Sequence, residues 1–142
     1  MATPPNVPEL QASPRILHTA LFAGALFMAP LVVALRLVVH IIDLPEAITG
    51  IRIAALAIMI AQSVVVRTRR DRIAPMPPGG DEDAWWNAHL PSALVIWALG
   101  ESVAVIGSAF FFLTGDLLML FMVAGGLLLL FLARPGRLME SS

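Results

Sequence analysis

The sequence predicts an all-α integral membrane protein, a four-helix bundle whose helices are mostly antiparallel. Composition is the first reason: 58% of the 142 residues are hydrophobic and 13% are charged, about half the charged fraction of a soluble domain. The second is that the hydrophobic residues form four runs, none of which alternates as a lipid-facing β-barrel wall does. The third is that the arginines collect beside alternate run boundaries.

The predicted domain covers residues 15–137. Residues 1–14 contain four prolines and are expected to form a disordered cytoplasmic arm, and residues 138–142 a short cytoplasmic tail. A cleaved signal peptide is the alternative for the first run, but its apolar segment exceeds the usual length of about 7–15 residues.

A membrane-spanning helix needs about 20 apolar residues, and the runs predict helices over 16–40, 47–66, 84–113 and 115–133. The second run is the weakest, because Arg52 interrupts its start and Gln62-Ser63 its end; a re-entrant or interfacial segment is the alternative. Asp81 or Asp83 is expected to cap the third helix. Pro91 is expected to kink or restart it.

Arginine distribution predicts the orientation. Four crossings place both termini and the loop between the second and third helices on one side. That side holds Arg15, Arg67, Arg69, Arg70, Arg72, Arg134 and Arg137. The positive-inside rule therefore predicts a multi-pass protein of the inner (plasma) membrane with both termini cytoplasmic.

Glu101 is the only acidic or basic residue in the run from Leu90 to Leu113. A charge at mid-membrane depth is costly and marks a candidate functional site. Small residues share its helix face and are expected to let another helix approach closely. These helix-packing residues are Gly100, Ala104, Gly107 and Ser108, and Pro30 of the first helix is a further predicted helix-packing residue. We therefore expect Glu101 to face protein and, without a paired cation, to be a neutral acid.

Pro30 supplies a possible partner, because a proline inside a helix frees the carbonyl four residues earlier, here that of Leu26. At 1.5 Å per residue, Leu26 lies about 15 Å and Glu101 about 16 Å from the inner helix ends. A protonated Glu101 could therefore donate to the Leu26 carbonyl. Two readings stay open: a structural acid that joins helices, or a site that binds a proton or cation.

The remaining polar residues predict structure rather than chemistry. An interfacial charge cluster is expected at the outer side, formed by Arg36, Arg52, Asp43 and Asp116, with Glu46 nearby. The three histidines lack metal-ligand spacing, there is no cysteine, and no phosphate loop, nucleophile elbow or catalytic carboxylate pair occurs. We expect no metal, no cofactor and no enzyme activity. The net charge of −1 argues against nucleic-acid binding.

Three stretches carry a resemblance to known proteins. They are Trp97-Ala-Leu-Gly-Glu-Ser-Val-Ala-Val-Ile-Gly107, Leu113-Thr-Gly-Asp116 and Arg134-Pro135. Together they resemble a group of small bacterial four-helix membrane proteins without an established function. The spacing of Glu101 and Gly107 in a small-residue helix is also similar to the proteolipid c subunits of rotary ATPases, which implies a proton-binding carboxylate at Glu101.

The expected function is therefore that of a small multi-pass membrane protein. It is expected to be a structural or accessory component without catalysis, whose partners are the lipid bilayer and either further copies of itself or a larger membrane complex. The alternative is a proton- or cation-translocating component that uses Glu101. These two classes differ in whether water or a polar path reaches the carboxyl group.

Overall fold

The computed structural model describes residues 13–39 and 45–140. Within these residues the chain is helical and contains no strand, which confirms the predicted all-α class for this part of the protein. The helices are α1 (Pro14–Val38), α2 (Pro45–Arg70), α3 (Glu82–Thr114), α4 (Met119–Leu132) and α5 (Pro135–Met139). Three of them, α1, α2 from Ala47 onward and α3, are long and apolar enough to cross a membrane.

Local side-chain chemistry sets both ends of α3. The Asp81 carboxylate accepts hydrogen bonds from the backbone N–H groups of Asp83 (2.9 Å) and Ala84 (3.4 Å), as an N-cap does. Gly115 ends the helix with a φ of 68°, a left-handed conformation that favours glycine. Between these caps α3 continues through Pro91 as one helix, so the proline does not restart it.

The fourth apolar run becomes a shorter helix than its sequence predicts. Asp116 accepts a hydrogen bond from the backbone N–H of Leu118 at 3.1 Å, and its carbonyl accepts one from Met119 at 2.9 Å. This turn delays the start of α4 to Met119. Its 14 residues make α4 about 21 Å long.

Helix α5 was not predicted. Its first residue is Pro135, whose fixed φ suits the first position of a helix. The short tail predicted over residues 138–142 therefore begins inside this helix, where Leu138 is only 4% exposed. The Met139 carbonyl also accepts a hydrogen bond from the Met76 N–H at 3.1 Å, so α5 is attached to the loop before α3.

Helix α3 contacts α1, α2 and α4, and its contact with α4 is the most extensive. Helix α1 runs parallel to α3, because Arg15 pairs with Glu82 where both helices begin (3.1 Å) and Arg36 reaches Phe112 where both end. Helices α2 and α4 run the opposite way. We call the end where α1 and α3 begin, and α2 and α4 end, the arginine end.

Burial is concentrated in α3 and α4. Within an apolar stretch of 18 residues in each long helix, 44% is buried in α3, against 6% in α1 and 6% in α2. Trp97, Ile96, Leu130 and Val103 are the largest fully buried side chains. The outward faces of α1 and α2 are apolar and uncovered: Phe27 on α1 is 70% exposed and Ile53 on α2 is 66% exposed.

Candidate functional site

Glu101 lies partly buried on the side of α3 that faces α1. Its Oε1 atom is 3.8 Å from the position that a Cβ atom would occupy on Gly24 of α1. A Cβ atom at that distance would make only an ordinary van der Waals contact, so the carboxyl group lies beside α1 without requiring a glycine there. The predicted match in depth between α1 and α3 holds to within two residues, since Gly24 stands close to Leu26 in the chain.

The predicted hydrogen bond from Glu101 to the Leu26 carbonyl is not found. Within residues 13–39 and 45–140, the Glu101 carboxyl group makes no hydrogen bond and no ion pair. Pro30, predicted as a helix-packing residue, has an exposed ring and so does not lie in a helix contact of the described chain. Glu101 thus lies beside α1 but makes no hydrogen bond to it.

The small residues of α3 form its contact with α4. Gly100, Gly107 and Ser108 are buried, and Ala104 is 0% exposed. A Cβ atom on Gly107 would lie 2.7 Å from the Met122 Cβ atom, which is closer than such atoms approach. The Ser108 hydroxyl donates to the carbonyl of residue 104 at 2.9 Å within its own helix. The small side chains therefore allow the two helix backbones to come together.

Gly126 of α4 is the matching residue, which the sequence interpretation missed. A Cβ atom on it would lie 2.5 Å from the Ala104 nitrogen and 2.6 Å from the Gly100 carbonyl oxygen. The only signal for it was the Gly125-Gly126 pair in an otherwise bulky run. Adjacent glycines lie on different faces of a helix, so the sequence did not distinguish the packing glycine from its neighbour.

Two aromatic side chains bind the last carbonyl groups of α4. Trp97 Nε1 donates to the Ala133 carbonyl at 2.7 Å, and His18 Nε2 donates to the Leu130 carbonyl at 2.9 Å. The two rings also contact each other edge to face, with centroids 5.2 Å apart. The final carbonyls of a helix have no partner within it, so these side chains satisfy groups that would otherwise be buried without one.

A polar contact between α2 and α3 lies next to Glu101 in sequence. The Ser102 hydroxyl is 3.1 Å from Gln62 Oε1 and 2.9 Å from the Leu99 carbonyl, so it donates to one or shares its hydrogen between them. Gln62 had been noted only as a residue that weakens the second apolar run. In the structure Gln62 takes part in the contact between α2 and α3.

The predicted outer charge cluster is formed in part. Arg52 Nε donates to Asp116 Oδ2 at 2.7 Å, which ties α2 to the turn between α3 and α4. This hydrogen bond lowers the pKa of the Asp116 carboxyl group below its ordinary value. Arg36 does not join that pair; its guanidinium donates to the Phe112 carbonyl at 2.9 Å, near the end of α3.

The predicted cluster also includes Asp43, with Glu46 nearby. Asp43 lies outside the described residues, and the side chain of Glu46 is likewise not described. Arg36 makes at least one further interaction besides its bond to Phe112. The described part of the cluster is thus a helix-end contact and an ion pair.

His18 and His89 make contacts within the fold. His89 Nδ1 donates to the Trp85 carbonyl at 2.9 Å, one turn earlier in α3. His18 binds α4 as described above, and His40 lies outside the described residues. Among residues 13–39 and 45–140, no three His, Asp or Glu side chains are placed to hold a metal ion.

Comparison with known proteins gives no relative: no family model, no curated protein and no solved structure matches the chain.

Proposed function

We propose that this chain is a four-helix integral membrane protein that acts as a structural or accessory component, without catalysis. The observation that carries the proposal is the exposed apolar surface of α1 and α2, in whose apolar windows only 6% is buried. Water-soluble monomers rarely expose apolar patches larger than a few hundred Å². Lipid, or the apolar face of a membrane partner, is the surrounding that such helices need.

The backbone contacts of α4 support placement in a membrane. At about 21 Å, α4 is shorter than the roughly 30 Å hydrocarbon core, so one of its ends would lie within or near the apolar layer. Backbone groups there must be satisfied by protein. Trp97 and His18 supply that satisfaction at the carboxyl end of α4.

Charge distribution supports the orientation. The arginine end includes Arg15, Arg70 and Arg137, whereas the opposite end of the described chain holds Arg36 and Arg52. This asymmetry favours a cytoplasmic arginine end in the bacterial inner membrane. Both termini would then be cytoplasmic.

The polar side chains within the helices support a structural role. Ser102 joins α3 to α2, Arg52 joins α2 to the turn after α3, and Trp97 joins α3 to α4. Each of these side chains forms a bond between elements of the fold. In the proposed role, α3 and α4 form the closely packed part of the protein. The apolar faces of α1 and α2 contact lipid, further copies of this chain or other membrane subunits.

Alkaline carbonate extraction followed by native purification tests this proposal. The chain is expected to stay in the membrane fraction, and to elute from detergent as an oligomer or with stoichiometric membrane subunits. Release by carbonate would overturn membrane insertion. A detergent-solubilised monomer that copurifies with no other protein would contradict the accessory role.

Glu101 favours a second candidate, a proton- or cation-translocating component. Its carboxyl group lies midway along an apolar helix, against Gly24 and without a hydrogen bond among the described residues. Proton flux into dye-loaded liposomes under an imposed potential separates the two functions. The structural role predicts equal flux for the wild type and Glu101→Gln, whereas a higher wild-type flux would support translocation.

A further inference from the structure

A cleft of about 400 Å³ opens at the arginine end between the last turns of α2 and α4. Its α2 wall carries the polar residues Ser63, Arg67 and Arg70 together with the apolar Val66, and Asp71 lies just beyond the helix. Its α4 wall is apolar and includes Leu129 and Leu132. The cleft therefore places two cations beside a hydrocarbon surface.

The two arginines are available to an external ligand. Arg67 and Arg70 are three residues apart on α2, a spacing that puts both on one helix face. Within the described residues neither guanidinium group makes a hydrogen bond or an ion pair, even with the carboxylate of the neighbouring Asp71. Two guanidinium groups and one carboxylate leave the cleft with a net positive charge, which favours an anion.

The walls define the chemistry of that anion. A guanidinium group matches phosphate oxygens with two parallel hydrogen bonds, while the leucines of α4 match an acyl chain. A free phosphate ion would use only the polar wall. We propose that the cleft binds an anionic phospholipid, with its phosphate between Arg67 and Arg70 and an acyl chain along Leu129 and Leu132.

This inference rests on the proposed function, because it needs the arginine end to lie at a membrane surface. Basic recesses between membrane helices on the cytoplasmic side are where acidic lipid headgroups bind. The bound lipid would fill the space between α2 and α4 beyond their own contact. It would thus join the partly exposed α2 to the closely packed α3–α4 pair.

Native mass spectrometry of the detergent-purified protein tests the ligand class. Phosphatidylglycerol is expected to bind in preference to phosphatidylcholine, whose headgroup has no net charge, and its binding should weaken as salt concentration rises. Inorganic phosphate at equal concentration should neither bind nor displace the lipid. Equal binding of both lipids, or binding of phosphate alone, would overturn the proposal.

A pair of double variants tests the location. Arg67→Ala/Arg70→Ala is expected to weaken phosphatidylglycerol binding by about 100-fold, because each arginine loses a direct hydrogen bond to a charged group that contributes at least about tenfold. The matched control, Arg69→Ala/Arg72→Ala, removes the same charge from exposed residues outside the cleft. It should stay within about twofold of wild type, because salt screens exposed charges that do not contact the bound phosphate. Equal losses in the two variants would show attraction by overall charge and refute a specific site.

Carbonate extraction of the same proteins separates this inference from the proposed function. If all three proteins stay in the membrane and the cleft variant binds lipid as the wild type does, the lipid site is wrong and membrane insertion stands. If carbonate releases the wild type, membrane insertion is wrong, and the lipid site falls with it.

Discussion

The contact between α3 and α4 gives the sharpest stability prediction. In Gly126→Ala, the new Cβ atom would lie 2.5 Å from the Ala104 nitrogen and 2.6 Å from the Gly100 oxygen. Ordinary carbon contacts are about 3.5–4.0 Å long, so the helices must move apart by about 1 Å. Both atoms belong to the backbone, so no change of side-chain rotamer can relieve the clash.

The adjacent glycine provides a matched control. In Gly125→Ala, the nearest atom is the Met59 sulfur at 3.5 Å, an ordinary contact with a flexible side chain. Both substitutions gain about 0.5–1 kcal/mol by replacing glycine within a helix, and this gain cancels in the comparison. Overpacking costs about 1–3 kcal/mol, so Gly126→Ala should be less stable than Gly125→Ala by about that amount.

Reversible unfolding in mixed micelles with increasing dodecyl sulfate measures this difference, and the fluorescence of the three tryptophans reports it. A mid-transition shift to lower dodecyl sulfate is expected for Gly126→Ala and not for Gly125→Ala. Equal midpoints would refute the close approach of α3 and α4. A larger loss for Gly125→Ala would show that the other face of α4 makes the contact.

Three further predictions follow from the same contacts. Gly107→Leu should destabilise the fold in the same assay, because its Cβ atom would lie 2.7 Å from the Met122 Cβ atom of α4. Gly50→Leu on α2, which has no atom within 4 Å of its Cβ position, should not. Equal effects would indicate that the Gly107 face contacts lipid. Trp97→Phe should lose about 1–3 kcal/mol by leaving a buried carbonyl unpaired, and Trp86→Phe, whose bond is longer at 3.4 Å, should lose less; the reverse order would contradict the capping role. Because the pKa of the Asp116 carboxyl is lowered in the folded state, its stabilisation is present above its unfolded pKa and is lost as pH falls through the folded pKa, below about pH 4. Stability measured from pH 6 to pH 2 should therefore fall less steeply for Asp116→Asn than for wild type, and parallel curves would contradict it.

Features that depend on local pattern could be predicted from the sequence. The long apolar helices follow from run length, and the Asp81 cap follows from an acidic residue before a helical run. The close-packing face of α3 follows from small residues at spacings of three and four, such as Gly100 and Ala104. Each of these signals lies within one segment of about 20 residues.

Features that depend on which helices meet could not be predicted. Periodicity identifies a helix face but not its partner, so the role of Gly126 and the bond from Trp97 to the end of α4 were missed. The bond from His18 to α4 could not be predicted either, because its partner carbonyl is 112 residues away in the chain. Counting residues along the helices predicted that Glu101 lies beside Leu26 of α1. In the structure it lies beside Gly24, two residues earlier.

Cysteine labelling of intact cells tests the central claim most directly, since the chain has no cysteine of its own. Ser13→Cys, Phe27→Cys and Leu117→Cys place single thiols at the arginine end, midway along α1 and at the opposite end, all at exposed residues. A membrane-impermeant maleimide should label Leu117→Cys in cells with a permeable outer membrane, and Ser13→Cys only after lysis. Phe27→Cys should be labelled only after denaturation, because a thiol reacts as the thiolate, which hydrocarbon disfavours. Labelling of Phe27→Cys in folded membranes would contradict a membrane-spanning α1, and labelling of Ser13→Cys before lysis would contradict the orientation.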